Sequence, residues 1–164
     1  MAAPQQKMNP LEGLSLKGRA LRLLSAREHS RAELERKLAA HAPDAETLAQ
    51  TLDELNAKGF LCDERVRDSV VHQRASRFGT QRVVLELHRK GLSSELIEQA
   101  QDALQSTELQ RAWDVWQRKY EQAPQENAEK HRQMRFLASR GFSQESIRRL
   151  FDLLKRGEEP HSAT

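Results

Sequence analysis

The sequence predicts an all-α fold of three tandem three-helix repeats stacked into an elongated, curved array, and three observations carry that prediction. Leu38, Leu87 and Leu137 are each followed ten residues later by Leu48, Ile97 and Ile147, and seven residues after that by Leu55, Leu104 and Leu154. The period is 49 and then 50 residues, a spacing expected of supersecondary units that bury a shared core by stacking. Between these anchors the helix-start chemistry recurs: Asp44, Ser93 and Ser143 at one repeat position, and Glu46, Glu95 and Glu145 two residues later. A side-chain oxygen followed by an acid in the first turn satisfies the exposed amides of a helix N-terminus. Finally, Gly91 and Gly141 precede the later two caps, where a chain leaving a helix commonly needs positive φ. The first copy has Ala42-Pro43 instead, so its turn must be built differently.

Taken in order, the elements are as follows. A polar tail, residues 1–16, is expected to be disordered. The first repeat, 17–63, has helices over 17–25, 31–40 and 45–58, the middle one opening with Ser30 and Glu33 in capping-box spacing. Gly59 ends the third helix, and Asp63 reads as the N-cap of the next. The second repeat, 64–106, has helices over 64–77, 81–89 and 94–105, with Phe78-Gly79-Thr80 as a turn. The third repeat, 107–156, has helices over 108–120, 128–139 and 144–155. Its first connection contains Pro124 and is longer than its counterparts. Residues 157–164 form a second disordered tail.

At this level the chain resembles the RecX family, regulators of the bacterial recombinase RecA. The resemblance is carried by residues 20–25 (ALRLLS), 30–38 (SRAELERKL) and 52–65 (LDELNAKGFLCDER), with Lys90-Gly91-Leu92-Ser93 and Arg140-Gly141-Phe142-Ser143 further on. It spans Lys17 to Leu154, and its specificity lies in the order and spacing of the pieces. The resemblance implies a protein that lies along the helical groove of the RecA–DNA filament and touches neighbouring subunits. It also implies a shift from filament growth toward disassembly, so that ATP hydrolysis, strand exchange and RecA-assisted cleavage of the SOS repressor all fall. A stacked array suits that role, since about nine helices packed roughly 8 to 10 Å apart would reach on the order of 80 Å in a line.

Composition bounds the answer independently. Charged residues make up 31% of the 164-residue chain and mean hydropathy is −0.81. No apolar run approaches the roughly 20 residues that cross a bilayer. The first ten residues have no hydrophobic segment of a secretory signal, so a cytoplasmic location is expected. Cys62 is the one cysteine, which excludes an internal disulfide; beside Phe60 and Leu61 it reads as a small packing residue. The six histidines show no pair at metal-binding helical spacing, and none of the seven glycines opens a phosphate-cradling loop. No catalytic residue, cofactor or metal is expected.

The net charge of +3 conceals a strong alternation. Residues 65–94 carry seven Lys and Arg against two acids, 95–129 carry three against eight, and 130–156 carry eight against two. Basic strips suit phosphates, whose neutralisation releases condensed counterions; they also suit an ordinary solvated helix face. The candidate contacts are Arg74, Arg77, Arg82, Arg89, Lys90, Arg132, Arg135, Arg140, Arg148 and Arg149. Partners expected from the resemblance and the charge are the RecA filament and, weakly and without sequence preference, single- or double-stranded DNA, bound by a monomer. Trp113, Trp116 and Tyr120 share a helix face and read as core, as do Phe60, Phe136, Phe142 and Phe151. Residues 137–150 support a second reading, a helix-turn-helix that directs Gln144, Arg148 and Arg149 to a major groove. The second repeat has Glu95, Glu98 and Gln99 there and no dimerisation segment is evident, which counts against it. A scaffold binding protein alone is a third.

Overall fold

The computed structural model describes residues 13–161, which fold as eight α-helices with no strand among them. The expected tails lie partly outside this range, at residues 1–12 and 162–164. The helices are α1 (Leu16–Ala26), α2 (Arg31–Leu38), α3 (Ala45–Ala57), α4 (Asp63–Arg74), α5 (Thr80–Arg89), α6 (Ser94–Lys119), α7 (Asn127–Ser139) and α8 (Gln144–Arg156). They divide into two compact units, one up to Val66 and one from Arg67 onward.

In the first unit, Ala20, Leu34, Leu38, Leu48, Leu52, Leu55 and Leu61 form a closed apolar core. The capping box forms as expected: Ser30 Oγ accepts from the Glu33 N–H at 3.1 Å, and Glu33 Oε2 accepts from the Ser30 N–H at 2.9 Å. Asp44 caps α3 through the Thr47 N–H at 2.6 Å. The turn that lacks glycine is a single 3₁₀ turn over Ala39–His41, which ends in extended backbone at Ala42 (φ −89°, ψ 142°). That geometry follows from Pro43, whose ring bars its predecessor from helical ψ. Two expectations are corrected here. Asp63 is the first residue of α4, and its carboxylate instead accepts the N–H of Arg31, the first residue of α2, at 2.9 Å. Phe60 is 51% exposed and is no core residue. Cys62 is half-buried and its thiol donates to Glu64 at 3.2 Å.

The second unit corrects the helix count. The sequence predicts a break between residues 105 and 108, yet α6 runs unbroken for 26 residues, about 39 Å at 1.5 Å per residue. It therefore serves both as the third helix of repeat two and as the first of repeat three. Ser106 and Thr107, which read as a helix start, turn their hydroxyls back onto the carbonyls of Ala103 (2.7 Å) and Leu104 (3.3 Å). Hydroxyls used in this way remain compatible with a helix interior. Trp113 and Trp116 are buried beside Leu137, Phe142, Ile147, Leu150 and Phe151, the core role their spacing indicates. Where repeat two buries Val83, repeat three buries Gln133, whose Oε1 accepts from the Trp116 indole at 2.8 Å.

Candidate polyanion-binding face

Repeats two and three meet backbone to backbone at two turns, and this contact assembles the candidate site. The Gly79 N–H donates to the Arg140 carbonyl at 2.8 Å, and the Gln81 N–H to the Gly141 carbonyl at 3.3 Å. A Cβ on Gly79 would lie 2.2 Å from the carbonyl group of Gly141, and one on Gly141 2.6 Å from Arg82 Cβ. Only glycines allow this approach.

Two residues of α6 hold the joint together. Glu108, 4% exposed, accepts from the Thr80 N–H at 2.9 Å and from the Ser143 and Ser146 hydroxyls at 2.6 and 2.7 Å. It thus closes the N-terminus of α5, where Gly79 has no side chain to offer, and braces the first turn of α8. Burial alone would raise its pKa, but the hydrogen bonds from Ser143, Ser146 and Thr80 outweigh it and hold the carboxyl below its usual value. One turn along, Arg111 donates to the carbonyls of Ala75 (3.0 Å), Phe78 (2.6 Å) and Leu104 (2.9 Å) and to Thr80 Oγ1 (3.1 Å). Burial lowers its pKa. Arg111 also explains why α4 stops at Arg74 rather than Arg77: it claims carbonyls of the following turn, one of the few ways a helix end is satisfied within the protein.

The docked turns bring cations and rings into an alternating row. Arg82 Cζ sits 4.4 Å from the Phe78 ring centroid, Arg140 Cζ 5.4 Å from Phe78 and 5.2 Å from Phe136, and Lys119 Nζ 4.1 Å from Phe136. Tyr120 meets Phe136 edge-on at 5.7 Å. Arg82 donates to the Ser139 carbonyl at 3.2 Å, and Arg118 donates to the Ser76 carbonyl. Arg77 and Arg118 complete a small recess with Lys119, Phe136 and Arg140. Among the described residues no carboxylate pairs with Arg77, Arg82, Arg118, Lys119 or Arg140. The C-termini of α4, α6 and α7 converge here, each worth about half a negative charge. They offset roughly one and a half of these five positive charges, and the site stays strongly positive.

The ten candidates from the sequence separate into groups. Arg77, Arg82 and Arg140 belong to this row. Arg74 is ion-paired with Glu86 at 2.9 Å and, with Arg82 and Arg89, lines an adjoining groove of about 600 Å³ floored partly by the exposed Leu85. Lys90 caps the C-terminal end of α5. Arg132 and Arg135 are exposed on α7, and Arg148 and Arg149 are exposed on α8. Arg149 lines a different, more polar recess with Glu108, Glu145 and Gln105. Sequence reasoning missed Arg118 and Lys119, which lie in an acidic stretch, and Phe78, which reads as a turn residue. The signal that could have found them is the Phe78-Gly79 turn facing Arg140-Gly141 across the repeat period.

The architecture defines a class: a tandem three-helix-repeat protein with a basic face at the joint of its last two repeats. Residues 17–55, 63–100 and 106–151 match the first, second and third three-helix domains of RecX. The regulatory protein RecX of Leptothrix cholodnii is 50% identical over 151 residues, covering 92% of this chain and 96% of that protein. RecX of Ralstonia nicotianae is 43% identical over 155 residues, covering 92% and 98%. The crystal structure of RecX from Lactobacillus salivarius superposes with a TM-score of 0.74 at 18% identity, over 86% of this chain and 95% of that one. The chain belongs to the RecX family of regulatory proteins. No helix among the described residues is long and apolar enough to cross a membrane.

Proposed function

We propose that this protein is a cytoplasmic, non-enzymatic regulator of the RecA recombinase. It binds the RecA–DNA filament along its groove as a monomer, without a cofactor, and limits filament growth. ATP hydrolysis, strand exchange and coprotease activity fall as a result. The observation that carries this reading is membership of a regulatory family over nearly the whole length of the chain, all three repeats included. The uncompensated cations at the joint of repeats two and three support contact with DNA or an acidic filament surface, and the proposed contacts extend along Arg89, Lys90, Arg132, Arg135, Arg148 and Arg149.

The helix-turn-helix alternative fits less well. A recognition helix contacts DNA near its N-terminus, and the first turn of α8 is already braced by the Glu108 carboxylate through Ser143 and Ser146. That negative charge sits where a phosphate would approach.

The test is ATP hydrolysis by preformed RecA filaments on single-stranded DNA, with this protein titrated well below one copy per RecA subunit. Strong inhibition at such ratios is expected, since an agent acting on growing filament needs few copies whereas a competitor for DNA needs many. No inhibition even at equal ratios would sink the proposal.

A further inference from the structure

Among the basic residues of this chain, one group differs in kind from a solvated helix face. Lys119, Phe136, Arg140, Phe78 and Arg82 alternate cation and ring, and they come from α6, α7, the turn after α7, the turn before α5 and α5 itself. Cations on neighbouring helices with no acids between them repel one another, so holding them together needs a compensating contact. Here the aromatic faces and the carbonyls of Ser139 and Ser76 supply it. Such fixing also lowers the side-chain entropy a ligand would otherwise have to remove on binding.

We propose that this row is a binding track for single-stranded nucleic acid. Arg77 and Lys119 neutralise phosphates, while bases stack on the ring and guanidinium planes around Phe78, Arg82 and Phe136. Two features favour a nucleic acid strand over an acidic protein segment. Carboxylates are best bound by the N–H edge of a guanidinium, and the edges of Arg82 and Arg118 already donate to backbone carbonyls while Arg140 lies between two rings. What the site offers instead is half-buried rings and guanidinium groups beside the exposed point charges of Arg77 and Lys119, the combination that suits bases on a phosphate backbone. This site deepens the proposed role at a recombinase–DNA filament and takes its biological setting from it; the binding itself needs no recombinase.

The experiment is fluorescence anisotropy of a labelled oligo-dT with the full chain, across a salt series. The wild type is expected to bind with a steep salt dependence. The Arg77→Glu/Lys119→Glu variant changes two exposed residues and should lose at least about tenfold in affinity. Its salt slope should shrink by about 0.7 for each phosphate contact removed. Phe136→Leu keeps apolar volume but removes the ring, and should weaken binding with the slope unchanged. Lys155→Glu/Arg156→Glu, which changes two exposed cations in the last turn of α8 away from the row, should bind like the wild type. Lys119→Gln gives a milder reading of the same site should charge reversal disturb the fold, as judged by circular dichroism. Equal binding by wild type and the Arg77/Lys119 variant would overturn the proposal, as would an equal loss in the Lys155/Arg156 variant. Poly-glutamate displacing oligo-dT with like affinity would also overturn it, in favour of an acidic protein partner. Oligonucleotide binding that meets these expectations beside an unaltered filament ATPase would leave the site standing and remove only the regulatory reading.

Discussion

Glu108 accepts the backbone N–H of Thr80 at 2.9 Å across 28 residues of sequence, so a side chain from α6 caps a helix whose own N-cap, Gly79, has none to offer. The same carboxylate holds Ser143 and Ser146 at the start of α8. One acid thereby ties the N-termini of two helices to the rod that both repeats share.

Replacing Glu108 with Ala should destabilise the second unit by about 3 kcal/mol, since it leaves a buried N–H and two hydroxyls without their acceptor. Gln should cost less, about 1 kcal/mol, because its oxygen can serve Thr80 while its amide donates to hydroxyls free to rotate. Urea denaturation followed by tryptophan emission measures both, as Trp113 and Trp116 lie in this unit. Equal losses for Ala and Gln would mean that charge, rather than acceptor geometry, is what the site requires.

Glycine substitutions separate backbone conformation from close packing. Gly59 has φ +77° and nothing within 4 Å of where a Cβ would stand, so Gly59→Ala should cost only the left-handed conformation, about 1 kcal/mol. At Gly79 φ is −73°, an ordinary value, but a Cβ would meet Gly141 backbone at 2.2 Å. Gly79→Ala should therefore cost more, about 3 kcal/mol, and should displace Phe78 from Arg140. Thermal melts of the two variants provide the comparison; a smaller loss at Gly79 would show that the turns can separate freely.

These positions also show what could be read from sequence. The capping box of Ser30 and Glu33, the caps at Asp44, Ser93 and Ser143 and the buried tryptophan face are local relations, and local relations are written in residue spacing. The unbroken α6 is not legible there, because Ser106 and Thr107 carry the same hydroxyls whether they cap a new helix or bond back within an old one. Asp63 misleads for a similar reason: it caps a helix, but one that begins 32 residues earlier. Of the candidate site, the cations of repeats two and three can be picked out by charge. Their grouping cannot, since it depends on Gly79 meeting Gly141.

The Trp116–Gln133 pair offers a test of buried polarity. Gln133→Leu should destabilise by about 2 kcal/mol, because the indole N–H is left buried without a partner. Adding Trp116→Phe removes that orphaned donor, so the double variant should lose less than the two single losses combined. A double-mutant cycle by chemical denaturation reads the coupling, and strict additivity would mean that the 2.8 Å hydrogen bond contributes nothing net.

Acid should weaken the two units in different pH ranges. His29, in the first unit, is 3% exposed, and burial lowers its pKa below 6.5; its Nδ1 faces the Arg27 carbonyl at 3.0 Å. The unfolded chain therefore takes up this proton first, and stability falls as pH drops from about 6.5 toward the folded value. Glu108, in the second unit, has its pKa lowered from 4.5, so its contribution is complete above that pH and is lost as pH falls through the folded value. Both tryptophans belong to the second unit, whereas far-ultraviolet circular dichroism reports helices in both. In mild urea, helicity should begin to fall below pH 6.5 while tryptophan emission stays native until below pH 4.5. His29→Gln should remove the earlier phase alone. Coincident loss of both signals in the wild type would mean that the two units unfold as one, and a first phase that survives His29→Gln would assign it to another group.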